Sequence, residues 1–276
     1  MRRLLTAAVA VPLALLATFK FPPWAFFVFL LLIFVLASLE YVQLLRPLAP
    51  HAPLWLVPFA VVPVAVAFYW ALVAHDRALP TDAWVVAGSL LATVVVGTLL
   101  LVGRTPPAEA ATAMGIVGFG IPYFAMPVAV AVAMQRLDPW LLFLLYAIVW
   151  LGDTAAFYVG SAWGRHKLAP VVSPNKSWEG AIAGFLIGIV ATVVWSWWRL
   201  GEVRLPLLVV AAITAVAAQL GDLFESLLKR GVNVKDSGRL IPGHGGFFDR
   251  MDAMLFAGPV MFAGLWLIAH EGWGPL

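Results

Sequence analysis

The chain has 276 residues, of which 63% are hydrophobic and 11% are charged, and its mean hydropathy is +0.97. A soluble domain is nearer to 45–50% apolar and about 25% charged, so this composition excludes an ordinary soluble fold and indicates a chain that lies in lipid. Cysteine is absent, which excludes disulfides and thiolate metal sites. The net charge of +3 comes without a basic stripe interleaved with aromatic residues, so nucleic acid is not an expected partner.

Apolar stretches long enough to cross a bilayer, roughly 20 residues each, recur along the chain. They predict an all-α fold, a polytopic integral membrane bundle of about nine transmembrane helices. The predicted spans are 4–20, 22–45, 53–74, 82–102, 110–134, 138–162, 178–199, 204–228 and 251–271. The first is short and follows two arginines, but eight further spans favour a retained helix over a signal peptide. We interpret 1–137 as scaffold helices and 138–276 as catalytic helices of a single membrane domain.

The basic residues predict the orientation of this bundle. With nine spans, twelve of the 17 Lys and Arg residues lie on the side of the N-terminus and of the even-numbered loops. The positive-inside rule therefore places the N-terminus and those loops in the cytoplasm and the C-terminus outside. We expect a protein of the cell inner membrane whose two longest loops, near 164–177 and 229–250, face the cytoplasm.

The span 138–162 and the loop after it carry the first candidate residues. Asp153 is an acid inside a predicted span, and such a residue is a functional candidate by default. In the loop, Ser173-Pro174 is a turn signal, and Ser177 can cap the helix that follows. Lys176 is the best phosphate ligand of this loop.

The longest polar interval of the chain begins inside the span 204–228. Asp222, Glu225, Ser226 and Lys229 share one helix face because their spacing is i, i+3, i+4, i+7. An acid one or two turns inside a span is expected to face a polar cavity. The alternative is a structural ion pair of Asp222 or Glu225 with Lys229.

The following loop combines cations with a glycine-rich turn. Its cations can donate hydrogen bonds to phosphate oxygens, although a basic face that only enforces topology is also possible; they are Lys229, Arg230, Lys235 and Arg239. In the segment 242–246, Gly245 and Gly246 allow close backbone approach to a ligand and an anion-binding nest of N–H groups. His244, between the glycines, either serves the chemistry or only caps the loop by hydrogen bonding.

Three charged residues open the last span. We interpret Asp252 as a helix N-terminal cap and Asp249 as a ligand. Asp222 and Asp249, flanking a basic loop, resemble a Mg²⁺ site, since that ion takes one or two carboxylates plus substrate phosphates.

At these residues the sequence resembles the phosphatidate cytidylyltransferase family, also called CDP-diglyceride synthases. Ser226 through Asp252 fill every specified position of that family's C-terminal signature, S-x-apolar-K-R-x4-K-D-x-small-x2-apolar-P-x-H-G-G-apolar-x-D-R-apolar-D. Glu40-Tyr41, 153–167 and 173–180 also resemble family blocks, with Asn175 where the family often has Lys. The resemblance implies a membrane enzyme, a homodimer, that makes CDP-diacylglycerol and pyrophosphate from CTP and phosphatidic acid with Mg²⁺, and leaves a second cation open.

The resemblance also implies roles for the candidate residues. We expect the metal ligands to be Asp222 and Asp249. The expected catalytic residues are Lys229, Arg230, Lys235, Asp236 and His244. The expected substrate-binding residues are Asp153, Ser173, Lys176, Ser226, Arg239, Gly245, Gly246 and Arg250. Two other functions stay open: a secondary transporter for an anionic solute, and a cytidylyltransferase for a different lipid phosphate.

Overall fold

A computed structural model describes residues 2–74, 91, 94–95, 97–99, 101–102, 104–238 and 246–270. Nearly all of the described chain is helical. The helices are α1 (Arg2–Lys20), α2 (Pro23–Leu45), α3 (Leu56–Tyr69), α4 (Pro107–Leu137), α5 (Pro139–Tyr146), α6 (Gly152–Trp163), α7 (Trp178–Leu200), α8 (Leu205–Gly231) and α9 (Phe248–His270). A 3-10 turn (Arg46–Leu48) follows α2, and π-helical turns follow α3 (Trp70–Ala74) and join α5 to α6 (Ala147–Leu151).

Seven helical stretches among the described residues are long and apolar enough to cross a membrane. They are Pro23–Leu48, Leu56–Val73, Pro107–Leu137, Pro139–Trp163, Trp178–Leu200, Leu205–Gly231 and Phe248–Ala269. They confirm the predicted all-α membrane fold, and their bounds follow seven of the predicted spans to within a few residues. The protein is therefore an integral membrane protein.

The two remaining predicted spans have different outcomes. The stretch 4–20 lies within the helix α1 (Arg2–Lys20). Most of 82–102 lies outside the described residues, and those described within it, such as 97–99, are helical.

The chain divides into two compact units. One comprises Met1–Leu137 with Leu228–Met251, and the other comprises Asp138–Leu227 with Asp252–Leu276. The boundary after Leu137 coincides with the predicted one between scaffold and catalytic helices, whereas the segment 228–251 groups with the N-terminal helices. The assignment of scaffold and catalytic roles stays a prediction.

The first unit is built on α2, α3 and α4, which pack against one another. Gly120 of α4 makes this packing close, since a Cβ there would lie 2.7 Å from the ring of Tyr41 on α2. The Tyr41 hydroxyl donates to the carbonyl of Ile116 at 3.2 Å. Buried Gln135 donates to the carbonyls of Thr18 and Phe21, both at 3.0 Å, and so fixes the end of α1.

In the second unit, α6 packs closely against α7 because glycines face each other. A Cβ on Gly184 would lie 2.7 Å from the carbonyl oxygen of Gly152, and one on Gly180 would lie 3.1 Å from the Cα of Gly160. Small residues of this kind let helix backbones approach in a membrane, where apolar burial gives little drive for association.

The segment between α6 and α7 forms an antiparallel hairpin that the sequence analysis did not predict. Its strands are β1 (Lys167–Ala169) and β2 (Ser173–Ser177). The turn occupies 170–172, so Ser173-Pro174 lies in β2 and the predicted turn at those residues is wrong. Ser177 caps α7 as predicted, with its Oγ accepting a hydrogen bond from the amide of Gly180 at 3.2 Å.

Candidate functional site

Three carboxylates of the second unit come together at the ends of two helices. Each of Asp222, Glu225 and Asp252 offers one oxygen, and these oxygens all lie within 4.8 Å of one another. Glu225 is 1% exposed. The group is suited to a cation because carboxylate oxygens that lie close together are the hard ligands that divalent ions prefer.

The sequence explains how residues from α8 and α9 reach one group. Asp222 and Glu225 lie three residues apart on α8, so they share a face. Gly221 precedes them, and a Cβ there would lie 2.5 Å from the carbonyl oxygen of Asp252. The missing side chain lets α9 approach at the point where Asp252 lies.

Lys176 connects the hairpin to this group. Its Nζ lies 2.5 Å from Oδ2 of Asp222, and the two side chains are 25% and 36% exposed. Asp153, on α6, lies close enough to Asp222 and Lys176 for their charges to act on it. The structure thus brings together three of the predicted site residues, Asp153, Lys176 and Asp222.

The base of the hairpin holds Lys176 in place. The amide of Trp178 donates to the carbonyl of His166 at 2.9 Å, where β2 meets α7. Nδ1 of His166 lies 2.6 Å from Oε1 of Glu179 in the first turn of α7. Both interactions join the residue before β1 to the first turn of α7, and so close the base of the hairpin that carries Lys176.

Asp252 does not cap its helix, so that prediction is wrong. Because α9 begins at Phe248, Asp252 lies in the second turn, past the unpaired amides that a cap serves. Its Oδ1 instead accepts a hydrogen bond from the amide of Ala253 at 2.8 Å.

In the first unit, Asp249 binds both described ends of the long loop. Its Oδ2 accepts hydrogen bonds from the amides of Gly246 at 2.8 Å and Ser237 at 3.1 Å. Its Oδ1 lies 2.8 Å from Nζ of Lys229, in a pair whose side chains are only 13% and 8% exposed. Asp249 therefore stabilises the two ends of the loop. Asp222 belongs to the other unit, so the binding of one cation by both residues stays a prediction.

The loop leaves α8 through a defined C-terminal motif. The amide of Val234 donates to the carbonyl of Lys229 at 2.9 Å, and that of Asn233 donates to Arg230 at 3.1 Å. Asn233 has φ of 58°. These are the two hydrogen bonds and the left-handed residue of a Schellman motif, in which Asn replaces the usual Gly.

The other predicted residues of the loop and hairpin are placed individually. Arg230 donates to the carbonyl of Val234 at 3.1 Å. Lys235, Asp236 and Arg250 are exposed, and Ser173 and Ser226 are partly buried. The Gly246 amide, predicted to join an anion nest, donates to Asp249 in this structure. Arg239, His244 and Gly245 lie outside the described residues.

One further residue contacts this loop, and the sequence analysis gave it no role. Glu40, on α2, is 1% exposed, and its Oε2 accepts a hydrogen bond from the amide of Phe248 at 2.9 Å. Phe248 packs against Tyr41 and Phe124, with ring centroids 5.9 and 5.6 Å apart. The sequence could have indicated a role for Glu40, because it is the only acidic residue in the apolar span 22–45.

Comparison with known proteins decides the family. The model of the family described as "Cytidylyltransferase family" matches residues 1–268, nearly the whole chain. The chain belongs to this family. The resemblance drawn from the signature between Ser226 and Asp252 is thereby confirmed, and the cytidylyltransferases are CTP-using nucleotidyltransferases.

Several proteins similar to this chain are named phosphatidate cytidylyltransferase. The one from Staphylococcus haemolyticus is 44% identical over 122 residues, which cover 43% of this chain and 47% of the relative. The one from Bacillus subtilis is 36% identical over 155 residues, 54% and 57% of the two chains. The one from Rickettsia bellii is 38% identical over 152 residues, 52% and 66%. The chain thus spans about half the length of the curated relatives it matches.

Proposed function

We propose that this cytidylyltransferase transfers CMP from CTP to phosphatidic acid, giving CDP-diacylglycerol and pyrophosphate. The observation that carries the proposal is the carboxylate group of Asp222, Glu225 and Asp252 with Lys176 beside it, in a membrane-spanning chain of this family. Acids that can share a divalent cation with phosphate oxygens, together with a lysine that can bind phosphate directly, suit a triphosphate and a lipid phosphate. The names of the relatives favour phosphatidic acid as the lipid.

We further propose that the carboxylate group holds a divalent cation, Mg²⁺. The donors fit this ion because Mg²⁺ prefers hard oxygen ligands and is usually bound by one or two carboxylates together with substrate phosphates. The pairing of the Lys176 ammonium with Asp222 supports this assignment, because a positive charge already lies beside the group. When bound, the cation neutralises charge on the triphosphate. Asp249 remains the ligand that the sequence predicts in addition, and a second cation remains open.

The reaction is a displacement at phosphorus. A phosphate oxygen of phosphatidic acid bonds to the α-phosphorus of CTP, and the bond from that phosphorus to the bridging oxygen breaks, so that pyrophosphate leaves with the oxygen. The nucleophile is already anionic, so no strong general base is needed. The work left to the protein is positioning and charge neutralisation.

Each basic residue receives a role on this basis. Lys176, on its hairpin, holds a substrate phosphate, with Arg239 as the other predicted candidate. Lys229, Arg230 and Lys235 offset negative charge on the triphosphate and on pyrophosphate. The acyl chains stay among the helices, since moving them into water costs about 0.8 kcal/mol per CH₂.

The proposal includes the setting of the enzyme. It lies in the cell inner membrane with its N-terminus and its long loops in the cytoplasm, where CTP is found, and its C-terminus outside. It acts as a homodimer. The basic residues support the orientation, and the family resemblance supports the dimer.

The direct test uses purified protein with labelled CTP and phosphatidic acid, with and without EDTA. We expect labelled CDP-diacylglycerol and pyrophosphate in equal amounts, and none with EDTA. Asp222→Ala and Asp249→Ala should each abolish turnover while the protein still inserts in the membrane. Turnover near that of the wild type in either variant would remove that residue from the metal site.

A substrate panel separates the alternatives. Ether-linked and isoprenoid lipid phosphates are offered beside phosphatidic acid, and a preference for one of them would replace the proposed lipid. Uptake of an anionic solute by proteoliposomes, without nucleotide turnover, would indicate a transporter instead.

A further inference from the structure

We propose that Glu40 is a positioning residue, which fixes the start of α9 and thereby Asp249. It belongs to α2, 208 positions before its hydrogen-bond donor Phe248. Only the expected effect on kcat rests on the proposed function. The contact between Glu40 and Phe248 can be measured without turnover.

The start of α9 needs a partner from elsewhere in the fold. The first amides of a helix have no acceptor inside the helix and are usually capped by a side-chain oxygen of the preceding residue. Here the preceding residue is Phe247, which has no such oxygen. The carboxylate of Glu40 supplies the acceptor for the Phe248 amide and so caps α9 from a distant helix.

Both described ends of the loop are shaped around this carboxylate. A Cβ on Gly238 or on Gly246 would overlap the Glu40 side chain. Ser237 is buried near the same carboxylate. The two glycines therefore make room for the acid, and the acid holds the chain on either side of the loop.

The same backbone segments bind Asp249. The amides of Ser237 and Gly246 donate to Asp249, and Gly246 and Phe248 are its near neighbours in sequence. Any shift of Phe248 away from Glu40 consequently moves Asp249 and its partner Lys229. Glu40 thus acts on the proposed triphosphate-binding residues through the backbone.

Burying the carboxylate of Glu40 costs free energy, so its hydrogen bond to Phe248 should have a role that an apolar side chain could not fill. Glu40 is almost fully buried, and Asp249 is close enough for its negative charge to act on it. A leucine of similar volume would fill the space without burying a polar group. The carboxylate therefore contributes the placement of Phe248, which an apolar side chain cannot reproduce.

The experiment compares Glu40→Gln with Glu40→Leu. Glutamine keeps an oxygen that can accept from the Phe248 amide, so we expect its kcat to stay within about fivefold of the wild type. Leucine keeps the volume but not the acceptor, so kcat per folded protein should fall about 100-fold, the scale associated with a misplacement of about 1 Å. Hydrogen exchange at the Phe248 amide should be at least tenfold faster in Glu40→Leu and unchanged in Glu40→Gln.

A control and a second variant keep the result decisive. Gln135→Leu removes buried hydrogen bonds from the same unit, at the end of α1, and should lower stability without faster exchange at Phe248. If Glu40→Leu does not fold, Gly238→Ala, which pushes on the carboxylate, should give the same faster exchange and lower kcat.

Wild-type exchange at Phe248 in Glu40→Leu, or equal loss of kcat in Glu40→Gln and Glu40→Leu, would overturn the proposal. A wild-type protein that makes no CDP-lipid would instead overturn the proposed function, and the exchange measurement would still decide the role of Glu40.

Discussion

At the scale of single residues, the acids of this protein have distinct surroundings. Glu225 is buried within a group of three carboxylates, Asp249 is enclosed by a lysine and two backbone amides, and Glu40 caps a distant helix. Sequence reasoning selected Asp222 and Asp249 because they flank the basic loop. It could not assign Glu225 and Asp252 to one group, because their approach depends on how closely α8 and α9 pack.

The carboxylate group gives the first prediction. Glu225→Gln keeps the shape of a buried side chain but removes one charge from the proposed cation site. We expect the Mg²⁺ concentration for half-maximal turnover to rise about tenfold or more, a change seen even when residues outside the direct ligands of a metal are altered. The measurement is a Mg²⁺ titration of CDP-diacylglycerol synthesis at saturating CTP.

Glu202→Gln is the matched control, since Glu202 is 63% exposed and pairs with Arg204 near the other end of α8. It should leave the titration unchanged. A wild-type Mg²⁺ requirement in Glu225→Gln would show that this acid does not bind the cation.

The pair of Lys229 and Asp249 gives a prediction for stability. Lys229→Met leaves the Asp249 charge buried without its ammonium partner, which costs about 3 kcal/mol. For a chain of this size we expect Tm in detergent to fall by roughly 6–12 °C. The measurement is intrinsic tryptophan fluorescence during heating.

Lys229→Met/Asp249→Asn tests the cause of that loss. Asparagine removes the charge but keeps an oxygen for the amides of Gly246 and Ser237, so most of the Tm should return. Turnover should remain low, because Lys229 is also proposed to offset charge on the triphosphate and Asp249 to bind the cation. A double variant that melts as low as Lys229→Met would show that the charge pair is not what stabilises this region.

At the scale of elements, most helices could be predicted because a bilayer imposes their length and their apolar character. The hairpin β1–β2 could not, since its strands of three and five residues are too short to carry a recognisable alternating pattern. The start of α9 was also misplaced. Phe247 and Phe248 were read as part of the polar loop, so Asp252 was taken for a cap although it lies a full turn inside the helix.

A glycine-to-alanine substitution, which adds one methyl group, can test the close packing of α6 on α7. Gly184→Ala would place a Cβ 2.7 Å from the backbone oxygen of Gly152, so the helices must separate. Since α6 carries Asp153 and the hairpin before α7 carries Lys176, we expect both a lower Tm and a lower kcat. Gly258→Ala is the control, because its Cβ would meet only Leu145, at 3.9 Å, and it should match the wild type in both measurements.

At the scale of the whole molecule, hydropathy identifies the spans but their number decides which side the ends of the chain face. The described residues confirm seven apolar helices, whereas the stretch 82–102 lies mostly outside them. The number of confirmed helices therefore does not fix the orientation, which is inferred from the uneven distribution of Lys and Arg between the loops. That inference assumes nine crossings, an odd number, which places the two ends of the chain on opposite sides of the membrane.

The absence of native cysteine makes the orientation directly measurable. Val171, at the hairpin turn, is 85% exposed, and Glu202 is exposed beyond the other end of α7. One candidate span, Trp178–Leu200, separates the two positions, so single cysteines at them must lie on opposite sides of the membrane. Because the basic residues place the hairpin inside, we expect Val171→Cys to react with a membrane-impermeant maleimide only in inverted vesicles and Glu202→Cys only in intact cells.

Two results of the labelling experiment would contradict this expectation. Reaction of both cysteines from the same side would show that Trp178–Leu200 does not cross the bilayer. The reverse assignment would show that the hairpin with Lys176 faces outward, away from cytoplasmic CTP. A cysteine introduced among the last residues of the chain tests the number of crossings after the hairpin. Three candidate helices follow the hairpin, so a C-terminus on the same side as Val171 would require one more or one fewer crossing.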